Sequence, residues 1–342
     1  MNAVKFGVGF APNVGAPKVI DTARLAEDLG FDVFWLTDSH LAGREALAML
    51  GALAVSTQRI HLGPGVSHLA GRHPTVIASA MATLDELAPG RIRLGIGVGD
   101  SGPLNLGVPR TSLRDLEQAI GDIRGLIQGH DVPGPSRPVK LAYGSPDRNV
   151  PIYVAGSGEK THRMTGRVAD GALISGQPDE LPASIANVRA GEREADRPVG
   201  ATRILLWTTV AVDDDRAAAR AAVRGSVARR ALNSYGRLAK QNLLSAEDAE
   251  ALARLQAAHD GGHVWEAGYA DLVPERWVDT FSIAGTPQEV QDKLARAIQN
   301  GAEEISMILM GPRSGERGSA DQLTRFAESV LHPMRKGTPL ST

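Results

Sequence analysis

No cysteine occurs anywhere in the chain, which removes disulfides, thiolate metal sites, iron–sulfur clusters and cysteine nucleophiles together. Redox chemistry, if the protein performs any, must therefore come from a bound cofactor. Aromatic residues are scarce at 4% and the net charge is only −2, so the stacking platforms and the basic field that nucleic-acid binding draws on are both missing. The arginines at 216, 220, 224, 229 and 230 are spaced as on a solvated helix face. No apolar stretch reaches membrane-spanning length, and the start, Met1 to Phe6, enters a strand-like run with no signal pattern. The expectation is a cytoplasmic protein that handles a small molecule, without a nucleic-acid or membrane partner.

What is present points to an enzyme of the α/β class. The 342 residues include 38 glycines and 20 prolines, with 42% hydrophobic residues, a composition of compact structure with many tight turns. Short apolar runs at Val4–Phe10, Asp32–Thr37, Ile60–Gly65, Ile92–Val98, Pro151–Ala155, Ala172–Ser175, Ile204–Val212 and Glu304–Met310 alternate with helical periodicity. Repeated strand-then-helix order predicts a parallel sheet with helical crossovers, and about eight strands predict a (β/α)8 TIM barrel. One helix is marked at both ends: Thr286-Pro-Gln-Glu289 reads as a capping box, followed by the stripe Val290, Leu294, Ala297 and Ile298 and the stop Gly301. In another, Val19, Ala23, Ala26 and Leu29 share a face before Gly30. The expected organisation is one barrel over residues 1–342 with two insertions: an irregular one around 129–149, and a helical one around 213–282 carrying Trp265, Tyr269 and Trp277.

The candidate chemistry sits at strand ends, where a barrel places its active site. Gly97-Val-Gly-Asp-Ser-Gly102 matches the dinucleotide pattern G-x-G-x-x-G, but that fingerprint must open into a helix, and Pro103, Gly107 and Pro109 suggest that helical pattern resumes only near Leu113. The preferred reading is a strand whose glycines leave room for a planar ring and which ends at Asp100. Asp100 itself reads equally as a chemical group or as a hydrogen-bonded turn residue. Gly156-Ser-Gly-Glu-Lys-Thr161 is a glycine-rich turn feeding a helix, and free backbone N–H groups there suit a phosphate, although an ordinary strand-to-helix turn looks the same. Thr37-Asp-Ser-His40 offers a histidine able to exchange a proton near neutral pH, beside an aspartate. His259 and His263 are four apart, but Gly261 and Gly262 between them oppose a regular helix and no third ligand is near, so no metal site is expected.

A dense ordered series carries a family resemblance: Thr57-Gln-Arg-Ile-His-Leu-Gly-Pro-Gly-Val66, Arg72-His-Pro74, Ala82-Thr-Leu-Asp-Glu-Leu87, Gly90-Arg91, and Leu94-Gly-Ile-Gly-Val-Gly-Asp100, continued by Ala155-Gly-Ser-Gly158, Ala169-Asp-Gly171 and Ala284-Gly-Thr-Pro287. It resembles the luciferase-like flavin monooxygenase superfamily, and within it the deazaflavin-dependent methylenetetrahydromethanopterin reductase group. The resemblance implies a TIM-like barrel that holds coenzyme F420, or FMN in other branches, at the strand carboxyl ends, as a dimer or higher oligomer. It implies a bulge with a non-prolyl cis peptide in the third strand, placed here at Gly65-Val66, with Ser67 following. Carried over by position, Asp38 and His40 fall beside the ring with Gly97 and Gly99, and Asp100 falls where relatives keep an acidic proton-handling group. Ala155, Gly156, Ser157, Gly158 and Thr161 match the phosphate turn, and Ser175 and Gly176 match the next strand end.

The activity so implied is hydride transfer between F420 and a small organic substrate, with His40 or Asp100 managing the proton. The alternatives are an FMN-dependent two-component monooxygenase fed by a flavin reductase partner, and a non-catalytic coenzyme-binding barrel. One departure stands out: pterin-reducing members carry a glutamate in the first strand, where this chain has Gly9 and Phe10.

Overall fold

The computed structural model of the chain describes residues 4–134, 136–258, 267–311 and 318–337. Strands β1 (Lys5–Phe10), β2 (Val33–Leu36), β3 (His61–Pro64), β4 (Ser67–His68), β5 (Leu94–Gly97), β6 (Ile152–Gly156), β7 (Gly171–Ser175), β8 (Arg203–Val212), β9 (Ser282–Gly285) and β10 (Glu304–Leu309) pair in parallel throughout. Their order is β3-β2-β1-β10-β8-β7-β6-β5-β4. β3 and β4 are two pieces of one stave, interrupted at Gly65-Val66, and a parallel bridge from Leu62 to Ile92 closes the circle. The result is the expected (β/α)8 barrel, and each of the eight predicted runs overlaps one of its staves, with β6, β7 and β8 each reaching one residue beyond the run.

Helices α1 (Ala16–Asp28), α2 (Ala46–Ser56), α3 (Pro74–Leu87), α4 (Ser101–Leu106), α5 (Leu113–Ile127), α6 (Glu159–Val168) and α7 (Leu181–Glu194) follow successive strands, and α11 (Pro287–Gln299) precedes β10. The outer core lies between this ring and the outward faces of the strands; Val19, Ala23 and Ala26 of α1 and Val290, Leu294 and Ala297 of α11 are buried in it. The Thr286 capping box forms as read, the Thr286 amide donating to Glu289 Oε2 at 2.9 Å. Gly30, at φ 90°, ends the first helical segment.

Two elements depart from the sequence reading. α4 begins directly after Asp100, because a proline in the first turn of a helix removes only an N–H that has no partner there. β9 extends the sheet along the far half of β8, pairing Thr209 with Ser282 through Val212 with Gly285. Four residues without alternation leave no periodic signal to read.

The sequence reading expects insertions at 129–149 and 213–282. Segment 129–149 is turns and bends around one bridge, Val132 to Val139. The longer one folds into α8 (Arg216–Ala239), α9 (Ala246–Ala258) and α10 (Glu275–Phe281), with a second core built on Val223, Val227, Leu252, Leu255, Trp277 and Phe281. Trp265, His259 and His263 lie outside the described residues. Among the described residues no helix is long and apolar enough to cross a membrane, and no group of three histidine or acidic side chains is placed to hold a metal ion.

The barrel interior explains the glycine-rich strands. Trp35, Tyr153, Leu173, Leu205 and Trp207 fill it, and such large rings fit because facing positions carry no side chain. A Cβ on Gly9 would lie 2.7 Å from two ring carbons of Trp207, and one on Gly65 would lie 2.9 Å from Trp35 Cβ. Below the rings sits a buried polar layer. Arg93 pairs with Glu304 at 2.6 Å, Trp35 Nε1 donates to Ser306 Oγ at 3.0 Å, and Ser306 donates to Glu304 at 3.0 Å.

At the edge of this layer, burial, then Arg93 and Lys5, push the pKa of His61 from 6.5 down to about 4. The folded state thus resists a proton that the unfolded chain accepts. This contribution to stability is whole above pH 6.5 and is lost as the pH falls toward 4. Discounted for partial exposure, the loss is on the order of 2 kcal/mol. Urea melts at about pH 7.5 and about pH 4.5 should show a smaller acid loss for His61→Gln than for wild type; identical acid losses would refute the assignment.

Candidate active site

The carboxyl ends of the strands converge at one mouth. β2 delivers Thr37, Asp38, Ser39 and His40; the broken stave delivers Gly65 to His68; β5 ends in Gly97 to Asp100, β6 in Gly156 to Gly158, and β7 in Ser175 and Gly176. The peptide between Gly65 and Val66 is cis, at the position the resemblance implied. Val66 turns inward and, with Ala155, packs against the tryptophan cluster.

Asp38 is the best-held group here. It is 4% exposed; Ser67 Oγ donates to its Oδ2 at 2.8 Å, and the Arg72 guanidinium pairs with it and with Glu45. Among the described residues its Oδ1 is buried with no hydrogen-bond partner, an acceptor left for a ligand. Burial opposes the charge on Arg72, but Asp38 and Glu45 outweigh it and raise its pKa.

The neighbouring histidine was not anticipated. His68 is 2% exposed and, among the described residues, both its ring nitrogens lack partners. Burial lowers its pKa, with Asp38 pulling the other way, so the ring is neutral at ordinary pH. A Cβ on Gly71 would lie 3.3 Å from His68 Cε1 and 3.9 Å from His40 Cε1, so the two imidazoles border the same small space. His40 itself is half-buried at the rim.

Asp100 stands at its strand end but is occupied. Arg110 pairs with its Oδ1, and Asn233 Nδ2 of α8 donates to its Oδ2 at 2.9 Å. The bonds it makes are to a positive charge and an amide, not to His40. The glycines of β5 are closely packed. A Cβ on Gly97 would lie 3.1 Å from the Ala155 carbonyl oxygen and 3.4 Å from Val66, and one on Gly99 would lie 2.6 Å from Pro103.

The β6 turn has the geometry of an anion cradle. Gly158, at φ 89°, is the N-cap of α6 and gives no side-chain cap, so the amides of the first turn point outward unpaired by it. Thr161 closes against Gly156, where no larger residue fits. Buried His162 donates from Nε2 to the Gly156 carbonyl at 3.4 Å, and burial lowers its pKa. Ser175 is exposed at the end of β7, and Gly176 abuts Glu180, which accepts the Gln177 amide at 3.1 Å. Between them the orphaned Asp38 oxygen, the inward Val66 and the uncapped β6 turn fit a flat ring with an anionic tail.

A family model for the luciferase-like monooxygenases matches residues 6–304. The chain belongs to this family. Within it, the protein is similar to the 5,10-methylenetetrahydromethanopterin reductase of Archaeoglobus fulgidus, 32% identical over 313 residues, which span 88% of this luciferase-like chain and 92% of the relative. It is equally similar to the F420-dependent glucose-6-phosphate dehydrogenase of Beutenbergia cavernae, 32% identical over 334 residues and 91% of each chain. The coenzyme F420-dependent tetrahydromethanopterin reductase structure from Methanopyrus kandleri superposes with a TM-score of 0.81 at 24% identity, over 97% of this chain and 99% of that one.

Proposed function

We propose that this luciferase-like protein is an F420-dependent oxidoreductase that passes a hydride between the coenzyme and a small organic substrate. The observation carrying this reading is the meeting, at one barrel mouth, of the cis bulge at Gly65-Val66, the unpaired buried Asp38 oxygen and the uncapped β6 turn. Relatives whose names include F420 dependence support the choice of coenzyme. When bound, F420 supplies the hydride-carrying ring; the protein supplies orientation and a dry pocket.

Each residue then has a task. Val66 and Ala155 offer an apolar backing to a flat ring, and Asp38 Oδ1 accepts a hydrogen bond from its polar edge. The amides of Gly158 and the first turn of α6 hold the tail phosphate. His40, at the rim and beside neutral His68, holds the proton that accompanies hydride transfer, while Asp100 fixes α8 to the barrel. The crowding of Gly9 by Trp207, where a first-strand glutamate would need room, supports a substrate other than a pterin.

Titrating the purified protein with F420 and with FMN, each followed by coenzyme fluorescence, tests the reading. F420 is expected to bind at least tenfold more tightly. Preferential binding of FMN would overturn the cofactor and move the protein to the monooxygenase branch.

A further inference from the structure

His68 is a buried group at the mouth whose presence packing does not explain. It stands in β4, just beyond the cis bulge, and is only 2% exposed. Buried polar groups nearly always find a partner, yet among the described residues neither of its ring nitrogens has one. Glycines make room for the ring on two sides. A Cβ on Gly102, in the first turn of α4, would lie 2.1 Å from His68 Nε2, and one on Gly71 would lie 3.3 Å from its Cε1. An apolar side chain would fill this slot without leaving two polar atoms bare.

What borders the ring is ionisable. The same point beside Gly71 lies 3.9 Å from Cε1 of His40, which is half-buried at the rim. In each imidazole Cε1 is the carbon between the two nitrogens, so the edges that carry protons border one space. The charged and titratable groups acting on His68 are Asp38 and His40 after β2 and Arg72 ahead of α3, while α4 meets it with Gly102. Asp38 is the strongest of these and draws a proton toward His68; Arg72 and His40 oppose it. A neutral imidazole can accept a proton at one nitrogen while it donates from the other.

We propose that His68 is a positioning residue that acts through His40, taking on the proton that reaches His40 so that the two rings share a single positive charge beside Asp38. The assignment rests on the reading of His40 as the group that holds the proton of hydride transfer. The step balances within the pair: an N–H bond breaks at the His40 imidazolium, one forms at a free nitrogen of His68, and the charge moves with the proton. No electron is exchanged. The proton crosses the space beside Gly71 directly or over one water, and its departure returns His40 to the neutral form.

NMR of the coenzyme-free protein, labelled with 13C at histidine Cε1 and titrated from about pH 8 to about pH 4.5, tests the pair. Sequential assignment identifies the His68 signal without replacing the residue. Two rings that share one charge repel a second proton, so His40→Gln should raise the midpoint of His68 by at least about 0.5 pH unit. Should that variant melt early, His40→Ala serves the same comparison. An unmoved His68 midpoint in the folded variant overturns the proposal, as does a His68 ring that stays neutral over the whole range in both proteins; a histidine kept for packing alone gives one of these results. A separate titration with F420 judges the reading beneath it. Coupled rings in a protein that takes up no F420 would sink the coenzyme and keep the proton pair, whereas tight F420 binding with uncoupled rings would keep the coenzyme and remove His68 from the relay.

Discussion

Arg93→Met is expected to destabilise the protein by about 3–5 kcal/mol, the usual penalty for stripping one partner from a buried ion pair. Arg93 and Glu304 have side chains only 4% and 5% exposed, and they meet at 2.6 Å beneath the tryptophan layer. The guanidinium also sits 5.3 Å from the centre of the Tyr153 ring. Without it, Glu304 would keep the hydroxyl of Ser306 and the indole N–H of Trp35, neither of which neutralises a carboxylate. The penalty therefore comes from the stranded charge more than from lost packing. Arg93→Met/Glu304→Gln should recover most of the loss, because an amide can keep the hydrogen bonds without the charge. Equilibrium melts in denaturant decide the matter: a cost below about 1 kcal/mol for the single variant would mean that water or a neighbouring cation reaches Glu304.

Asp38→Asn is expected to weaken F420 binding about 10–100-fold, the range set by a hydrogen bond to a charged group. The same loss should appear with a deazaflavin that lacks the tail, since Asp38 is assigned to the ring and not to the phosphate. Ser67 and Arg72 hold the native carboxylate from one side only, on Oδ2, which leaves Oδ1 as the atom under test. Fluorescence titration of both ligands, with a thermal melt as a control on folding, measures the effect. Undiminished affinity in a folded variant would remove Asp38 from the coenzyme site; a loss confined to the tailed coenzyme would reassign it.

These two predictions rest on contacts of different legibility. The staves could be read from the sequence because each is a short apolar run set off by helical periodicity, a pattern decided by near neighbours. The same holds for the Thr286 capping box, whose partners are three residues apart. The strand-end groups Asp38 and Gly156 to Gly158 were legible for a related reason, since a parallel barrel turns the end of every strand toward one face, whereas the bulge at Gly65-Val66 was implied by the family resemblance. α4 was missed because Gly102 and Pro103 are poor helix formers whose first-turn placement is tolerated. The pairing of Asp38 with Arg72 across 34 residues, and of Asp100 with Asn233 across 133, had no local trace.

The sequence by itself determined the order of strands and helices, the barrel and the turns at its mouth, because periodicity and turn chemistry act over a few residues. Only the tertiary structure decided what each group faces. It put tryptophans where the strand glycines left space, left both ring nitrogens of His68 without partners among the described residues, engaged Asp100 with Arg110 and Asn233, and half-buried Arg229 and Arg230 on α8. The physical reason is that burial and charge pairing depend on which distant segments meet when the barrel closes, and a residue's own neighbours in the chain carry no record of that meeting.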